Sequence, residues 1–258
     1  MTATIRQIFV VIITLYAVLS VAGCVTTTAN LPPEVPAMHT VSELGADSER
    51  IAHVDDPWEG FNRRMYDFNY YFDKYVFLPV VSGYEFVTPT FVQKGVSNFF
   101  DNVGEIRTLY NSLFQLKGGK ALTTAGRFVT NSTVGLAGFF DAATFMGMKR
   151  QDEDFGQTLG YWGVGRGPYL VLPVLGPGTV RSQSGFAVDA AIRYALVSAI
   201  DPYENVDHRD GVQAGVTVLE AIDIRHQESF RYYESGYPFE YYMVRFLYRE
   251  KRKLAIMK

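Results

Sequence analysis

Cysteine, histidine and long apolar runs are scarce in this sequence of 258 residues. The single cysteine, Cys24, excludes a disulfide framework. The four histidines are far apart in the chain, and no Gly-x-Ser-x-Gly motif accompanies them, so a hydrolytic centre has no recognisable nucleophile or base. The N-terminal apolar run, residues 8–22, is shorter than the roughly 20 residues that cross a bilayer. We therefore expect no catalytic residue, no bound metal and no cofactor.

The N-terminus has the features of a secretory signal. Arg6 precedes the apolar run, and the run ends in small residues. The sequence VAGC at 21–24 resembles the bacterial lipobox, in which the cysteine becomes the acylated first residue of the mature protein. We predict a signal peptide over residues 1–23 and a lipid anchor at Cys24, the alternative being a buried or chance cysteine. In bacterial lipoproteins, Asp after the acylated cysteine retains the protein in the inner membrane. This chain has Val25 there, and the absence of Asp favours export to the outer membrane.

Residues 25–57 contain no aromatic residue, although the chain holds 19 Phe, 17 Tyr and 2 Trp. Prolines, threonines and serines make residues 24–56 a weakly ordered tether. Only Phe9 and Tyr16 precede Trp58, so the aromatics are concentrated in residues 57–258, a length that fits a single domain. Because aromatic rings settle at the membrane–water boundary, we expect this body to meet a lipid surface.

Most of the body is predicted to be helical. Asp56-Pro57 is typical of an N-cap followed by the first helical position, and the helix that it opens should stop around Leu78-Pro79. Gly118-Gly119 should end a second helix. The short apolar run at 134–147 fits a buried or re-entrant helix. Further helical patterns cover residues 120–133, 185–200 and 211–235. The nearest approach to a strand, residues 169–176, is interrupted by Pro173.

Seven glycines lie between residues 154 and 181, and their spacing fits no phosphate-binding loop. A G-x-G-x-x-G fingerprint would need Gly or Ala at position 168 or 170, where the chain has Pro168 and Leu170. A P-loop would need Lys and then Ser or Thr where Arg166 and Gly167 stand. The stretch instead mixes aromatic and apolar residues with two cations, Arg166 and Arg181. This composition is typical of an apolar channel wall with a few charges or of a tightly packed loop.

Charge is distributed unevenly. Residues 245–258 hold six Lys or Arg against Glu250, in a chain whose formal net charge is −3. This basic tail is a candidate for contact with lipid phosphates, and the alternative is a solvated helix end. The acidic run QDEDF at 151–155 is more typical of a solvated turn than of a metal site, because no histidine or regular spacing of oxygen ligands accompanies it.

Several consecutive motifs resemble the MlaA (VacJ) lipoproteins in order and spacing. They are DPWEGFNRRMYDFN, SNFFDNVGEI, RFVTNSTVGLAGFFD and the glycine-rich stretch that ends at Arg181. The resemblance covers roughly residues 55–200, and the lipobox agrees with it. Ile106 stands where the family often has Pro, and Ser182 stands where Asp is common.

The resemblance implies an all-α, ring-like body whose aromatic helices are embedded in the inner leaflet of the outer membrane around a central amphipathic channel. It further implies removal of misplaced phospholipids from the outer leaflet and their transfer to a periplasmic carrier protein, which feeds an inner-membrane ABC transporter. Trimeric porins are the implied outer-membrane partners. No nucleic acid and no bond chemistry are expected, and the protein should face the periplasm, held by the lipid at Cys24.

Six residues are predicted to contact phospholipid headgroups or to line the channel, foremost Arg166 and then Arg181, with Arg127, Asp189, Asp141 and Tyr169 as further candidates. A guanidinium between two glycines can pair bidentately with a phosphate. The alternative for Arg166 is a structural ion pair in the core. Two other functions stay open: a structural lipoprotein that braces a porin and a phospholipid-degrading enzyme, which lacks a nucleophile constellation.

Overall fold

The computed structural model describes residues 56–235, 237 and 239–258, so the predicted signal peptide, Cys24 and nearly all of the tether lie outside the described residues. The described chain forms, in order, α1 (Glu59–Phe72), a π-helical turn (Asp73–Phe77), α2 (Leu78–Val87), α3 (Thr90–Phe114), α4 (Gly118–Thr133), α5 (Ala142–Phe145), α6 (Phe155–Tyr161), β1 (Tyr169–Leu172), β2 (Gly176–Thr179), α7 (Val180–Ile200), α8 (Arg209–Gln227) and α9 (Glu240–Met257). The predominantly helical architecture confirms the helical part of the predicted fold class.

The first helix departs from the prediction at both ends. It begins at Glu59, and Asp56 acts from outside the helix, where its Oδ1 accepts a hydrogen bond from the Trp58 amide at 3.3 Å. Nor does the chain leave the helical conformation at Pro79. The π-helical turn joins α1 to α2 in helical conformation, and Pro79 falls in the first turn of α2, where a missing N–H costs little.

Helices α3 and α4 form an antiparallel hairpin. Gly118-Gly119 opens α4 and does not end α3 as predicted. The turn is made at Leu116, which has a positive φ of 56°, and the Lys117 amide donates to the Ser112 carbonyl at 2.9 Å. The reversal thus occurs two residues before the glycines, because a hydrogen-bonded left-handed residue already closes the helix end.

The apolar run at 134–147 is not the buried or re-entrant helix that its composition predicted. Turns occupy most of it, and three consecutive residues, Leu136, Ala137 and Gly138, have positive φ. Only the four residues of α5 are helical, and Asp141 caps them by accepting from the Thr144 amide at 3.1 Å. A sequence rich in Gly and apolar residues therefore folds as a compact turn that faces α3 and α4.

A two-stranded antiparallel hairpin interrupts the helices, with Tyr169 paired to Thr179 and Leu172 to Gly176. Pro173 does not prevent the strand, because it follows the last residue of β1 and lies in the turn. The outer edge of β1 is satisfied by α1: Asn62 donates to the Tyr169 carbonyl at 3.0 Å and accepts from the Val171 amide at 2.8 Å. Asn62 is fully buried and supplies the bonds that a third strand would have made.

The clustered hydrophobic core is small and rich in tyrosine. Tyr66, Tyr169, Val171, Tyr233 and Tyr241 pack together where α1, the hairpin and α9 meet. Their rings meet edge to face, as between Tyr66 and Tyr241 at 5.8 Å. Within the described part of the chain, no helix combines the length and the apolar composition that crossing a membrane requires.

Candidate functional site

The helices bury polar side chains and expose large apolar ones. The buried face of α3 is formed by polar residues and one glycine: Gln93, Gly95, Asn102, Glu105, Thr108, Asn111 and Ser112. Its exposed residues include Phe91 and Leu113. Helix α4 repeats the pattern, with Thr124 and Arg127 inside and Leu122 and Val129 outside. This distribution is the reverse of that in a water-soluble helical domain, and it fits a body whose exterior meets an apolar medium.

Large apolar side chains are exposed at many positions in the described helices and turns. The most exposed include Phe86, Val87, Leu116, Leu122, Phe145, Tyr194 and Met257. Phe86 and Phe145 each leave more than nine-tenths of their surface uncovered, at 91% and 92%. Apolar surface on this scale marks a site of contact with lipid or with other proteins.

Arg127 lies in a closed ionic cluster inside the α3–α4 hairpin. Its Nε donates to Glu105 at 2.6 Å, and its Nη2 reaches Asp141 at 3.2 Å. Its Nη1 donates to the Met148 carbonyl at 2.6 Å and to Thr144. Arg127 and Glu105 are each 2% exposed, so the guanidinium is enclosed by the protein. Sequence reasoning selected Arg127 and Asp141, and the structure brings them together in one cluster.

The carboxylates of this cluster respond differently to burial. Burial raises the pKa of Glu105 and outweighs the opposing effect of Arg127. Burial also raises the pKa of Asp141. Hydrogen bonds from Thr144 and Asn131 and the charge of Arg127 have the opposite effect and outweigh burial, so the pKa of Asp141 lies below the ordinary value. The surroundings of Arg127 and Asp141 favour a structural role, because their polar atoms are already used within the protein.

Asp189 joins three helices. Its Oδ1 accepts from Tyr110 at 2.6 Å and from Asn111 at 3.0 Å, and its Oδ2 accepts from the Phe155 amide at 2.9 Å. The residue thereby ties α7 to α3 and to the start of α6. Tyr169, the aromatic candidate, is buried at 2% exposure in the tyrosine core, where burial raises the pKa of its hydroxyl.

Arg166 and Arg181 lie together at the glycine-rich loop. Arg166 is exposed, and the Arg181 amide donates to its carbonyl at 3.2 Å. Arg181 is part-buried and donates from Nη1 to the Val164 carbonyl at 2.7 Å. Burial lowers the pKa of Arg181, and the neighbouring charges of Arg252 and Arg166 lower it further. The loop thus carries two cations close in space, Arg166 and Arg181, and the nearby Arg252 is paired with Asp154.

Arg166 forms no ion pair with a carboxylate in the described part of the chain. The alternative of a structural ion pair in the core does not hold, since the side chain is at the surface. Arg252 differs, because its Nη2 donates to Asp154 at 2.8 Å. Of the three cations at or near the loop, Arg166 is the most accessible to a ligand from outside.

The acidic run at 151–155 is not the solvated turn that its composition predicted. Glu153 is 1% exposed and pairs with Lys117 and Lys120, the latter by a very short contact. Gln115 donates to its second oxygen at 2.9 Å. The run thus anchors the start of α6 to the α3–α4 turn. Its partners lie more than thirty residues away, so local sequence carried no signal for this pairing.

An apolar cavity of about 240 Å³ lies between α3, α8 and the turn before α5. Its lining consists of Gly95, Val96, Phe99, Phe100, Leu136, Phe139, Val216 and Leu219. Gly95 is required there, because a Cβ at this position would come within 2.0 Å of the Phe139 ring. Among the described residues, no group of His, Cys, Asp and Glu side chains is arranged to hold a metal ion.

Comparison with known proteins gives consistent matches. The family model for the MlaA lipoprotein matches residues 54–255. The intermembrane phospholipid transport system lipoprotein MlaA of Shigella flexneri is 38% identical over 183 residues, which cover 69% of this chain and 72% of that protein. An uncharacterised protein of Rickettsia conorii is 33% identical over 182 residues, covering 70% of this chain and 69% of that protein.

One relative is covered less completely. With an uncharacterised protein of Rickettsia prowazekii the identity is 36% over 140 residues, and the chain spans 56% of that relative's length. A solved structure that gives the structural basis for maintenance of bacterial outer membrane lipid asymmetry superimposes with a TM-score of 0.60 at 29% identity, covering 79% of this chain and all of that one. Sequence and fold therefore point to the same family.

Proposed function

Because the chain belongs to the MlaA lipoprotein family, we propose that it removes misplaced phospholipids from the outer leaflet of the outer membrane and passes them toward the periplasm. The transport maintains the asymmetry of the two leaflets and involves no bond chemistry. The relatives whose names state a function are lipoproteins of an intermembrane phospholipid transport system. The similar solved structure concerns outer membrane lipid asymmetry.

The observation that carries the proposal is the reversed burial of α3 and α4. Their polar faces point into the protein, and residues such as Leu122 and Val129 point outward. In water, this exposed apolar surface would cost a free energy of about 25 cal/mol per Å². The cost disappears when the exterior lies among acyl chains. A body of this kind sits within the lipid of the periplasmic leaflet, with its polar side chains bonded to one another inside.

The glycine-rich loop is the proposed headgroup contact. Arg166 offers an exposed guanidinium, and Arg181 beside it adds positive charge. A phosphate can accept two parallel hydrogen bonds from one guanidinium, an arrangement that a planar fork of donors favours. In this proposal the loop forms part of the wall of an amphipathic channel, and the apolar cavity beside α3 offers room for part of an acyl chain.

The proposed setting has an anchor and two protein partners. Acylation at Cys24 holds the chain in the periplasmic leaflet, and residues 25–56 tether the body. A trimeric porin supports the protein in the membrane, and a soluble periplasmic carrier receives the phospholipid and delivers it to an inner-membrane ABC transporter. The carrier is needed because a lipid with two acyl chains cannot cross an aqueous compartment unshielded.

A structural lipoprotein that braces a porin is the second candidate function. Its supporting observation is that Arg127, Asp141 and Asp189 lie in hydrogen-bonded clusters, as expected of a filled core. The two functions differ in what happens to lipid. A brace would bind a porin without moving phospholipid, whereas a transporter moves phospholipid to the carrier.

The test combines a deletion strain with a transfer assay. Deleting the gene should raise the amount of phospholipid in the outer leaflet, measured by its accessibility at the cell surface, and the wild-type gene should restore the normal level. The purified lipoprotein in vesicles should then accelerate phospholipid transfer to the periplasmic carrier. Normal asymmetry in the deletion strain, or porin binding without lipid transfer, would contradict the transport function, and the latter result would favour the brace.

A further inference from the structure

Helix α9 has one face that is docked on the protein by specific polar bonds. Three side chains, spaced three or four residues apart, bond to the body: Arg245 to Asp56 (3.0 Å), Tyr248 to Ser182 (2.8 Å) and Arg252 to Asp154 (2.8 Å). Such spacing places all three on one side of the helix. Ile256 continues the same side, and its Cδ1 would lie 2.6 Å from a Cβ on Gly160. The docked face therefore extends almost to the end of the chain.

The opposite face of α9 is apolar and uncovered. Phe246, Leu247, Leu254 and Met257 are 53%, 55%, 59% and 73% exposed. At about 100° per residue, these four side chains fall within an arc of about 100° around the helix axis. Single exposed apolar residues are ordinary on protein surfaces, but four on one face along three turns of a helix are not.

Lysines border the apolar strip on both sides. Lys253 lies along one edge, and Lys251 and Lys258 lie along the other, and all three are exposed. Glu250 projects between the apolar residues and is part-buried. The outer face thus carries three positive charges against one negative charge.

The two faces use different cations, and the difference has a physical basis. On the docked face, Arg245 and Arg252 bond to carboxylates, a task that suits the planar guanidinium. On the outer face every cation is a lysine, whose flexible apolar stem can lie along a hydrophobic surface while its ammonium group reaches water or phosphate. The basic tail is therefore divided, and only its lysine side is directed away from the protein.

We propose that α9 is an interfacial helix that lies in the headgroup boundary of an anionic phospholipid surface. The apolar strip enters the upper acyl region, and Lys251, Lys253 and Lys258 bind lipid phosphates at its borders. A partner protein could also cover apolar surface, but an apolar strip bordered by lysines on both sides matches the layered chemistry of a lipid surface, with acyl chains below and phosphates above. Through its bonds to Asp56 and Asp154, the helix fixes the orientation of the body relative to the membrane.

This inference rests on the proposed membrane setting, and it is tested by a readout of position and not of transport. Since Cys24 is the only cysteine, Leu254→Cys introduces one further thiol for an environment-sensitive fluorophore. Met257→Cys provides a second probe on the same strip, and the wild-type protein shows whether Cys24 itself takes up label. Each full-length lipoprotein is reconstituted in vesicles of phosphatidylethanolamine and phosphatidylglycerol, and the label is exposed to aqueous iodide or to brominated lipid.

We expect both labels to lose iodide quenching and to gain quenching by brominated lipid when the protein enters vesicles. The triple variant K251Q/K253Q/K258Q should reverse part of this protection. Each lysine near an anionic surface contributes about a fivefold preference (~1 kcal/mol), so the three together shift the balance between lipid-facing and water-facing helix by about 100-fold at low salt. The effect should shrink at high salt and in phosphatidylcholine vesicles.

Two results would overturn the inference. Labels that stay open to iodide in vesicles would show that the strip does not enter lipid. Labels that become protected only when the carrier or a porin is added would identify the strip as a protein interface. The proposed function can fail separately, since a protein with buried labels and no phospholipid transfer would still have an interfacial α9.

Discussion

A Cβ on Gly185 would lie 2.2 Å from the backbone nitrogen of Gly156, so α7 crosses the first turn of α6 with backbone against backbone. Gly156 is tightly enclosed as well, because a Cβ there would come within 3.0 Å of Ser182 and within 2.9 Å of Arg252. At this position the glycine-rich stretch serves close packing, and the missing side chain of Gly156 leaves room for the Arg252 guanidinium that bonds to Asp154.

The first prediction concerns this crossing. Gly185→Ala should lower the free energy of unfolding by about 1–3 kcal/mol, because the methyl group forces two helices apart. Thermal unfolding in detergent, followed by circular dichroism, measures the change. Gly215→Ala in α8 is the matched control, since nothing lies within 4 Å of its Cβ position. The free energy of unfolding of the control variant should be unchanged or higher by up to about 1 kcal/mol, because alanine has a higher helix propensity than glycine.

The second prediction concerns the buried cluster around Arg127. Arg127→Met should destabilise the protein by about 3–5 kcal/mol, because it leaves Glu105 buried without its cation. The double variant R127M/E105Q should recover part of the loss, because Glu105, the fully buried carboxylate, is then neutral, and the part-exposed Asp141 keeps its hydrogen bonds from Asn131 and Thr144. Unfolding in detergent and abundance in the membrane both report the effect. If the single variant were as stable and abundant as the wild type, Arg127 would have no structural role.

The third prediction separates ligand contact from stability at the glycine-rich loop. Arg166→Glu should leave the unfolding temperature unchanged, because the side chain is exposed, yet phospholipid should accumulate in the outer leaflet. Lys149→Glu, a charge reversal at another exposed position, is the control and should have no effect on lipid asymmetry. Equal asymmetry in the two variants would make Arg166 an ordinary surface residue.

The fourth prediction concerns acid stability. Burial raises the pKa of Asp154, but the hydrogen bonds and charge of Arg252, together with hydrogen bonds from Gln157, outweigh burial and hold the pKa below the ordinary value. A depressed folded pKa contributes stability that is present above the unfolded pKa of about 3.9 and is lost as the pH falls through the folded value. The free energy of unfolding of the wild type should therefore exceed that of Asp154→Asn at neutral pH. The difference should shrink below about pH 4, and a difference independent of pH would contradict the ion pair.

The fifth prediction concerns Cys24, which lies outside the described residues. Cys24→Ala should block acylation and release the protein from normal outer-membrane fractionation, because the lipid anchor is lost. Membrane fractionation with detection of the signal-bearing precursor measures this. Cys24→Ser serves as a second non-acylated variant. Normal maturation together with normal partition into the outer membrane would show that the anchor is not at this residue.

Parts of the fold could be predicted from the sequence because they depend on local periodicity. The apolar and polar spacing at 120–133 predicts a helix, and α4 spans Gly118–Thr133. Boundaries were predicted less well where distant residues contribute bonds. The β1 strand ends before Pro173 and is completed by Asn62, a residue more than one hundred positions earlier, which no local pattern could indicate.

The candidate residues were recognisable as isolated charges in apolar surroundings, which is why Arg127, Asp141 and Asp189 stood out. The sequence could not give their partners. Glu105 becomes a neighbour of Arg127, and Asn111 a neighbour of Asp189, only when the helices pack. The basic tail illustrates the same limit. Its composition is plain, but only the docking of α9 decides that Arg245 and Arg252 face carboxylates while the lysines face outward.

The sequence by itself determined the helical character, the family and the abundance of aromatic residues, because each of these depends on residue type and short-range spacing. Tertiary structure alone decided which surface each helix buries. Apolar periodicity marks one face of α3 and α4, and in a soluble protein that face would turn inward. Here the polar faces turn inward, because Glu105 pairs with Arg127 and Asn111 bonds to Asp189, and the apolar faces are left exposed on the outside of the body.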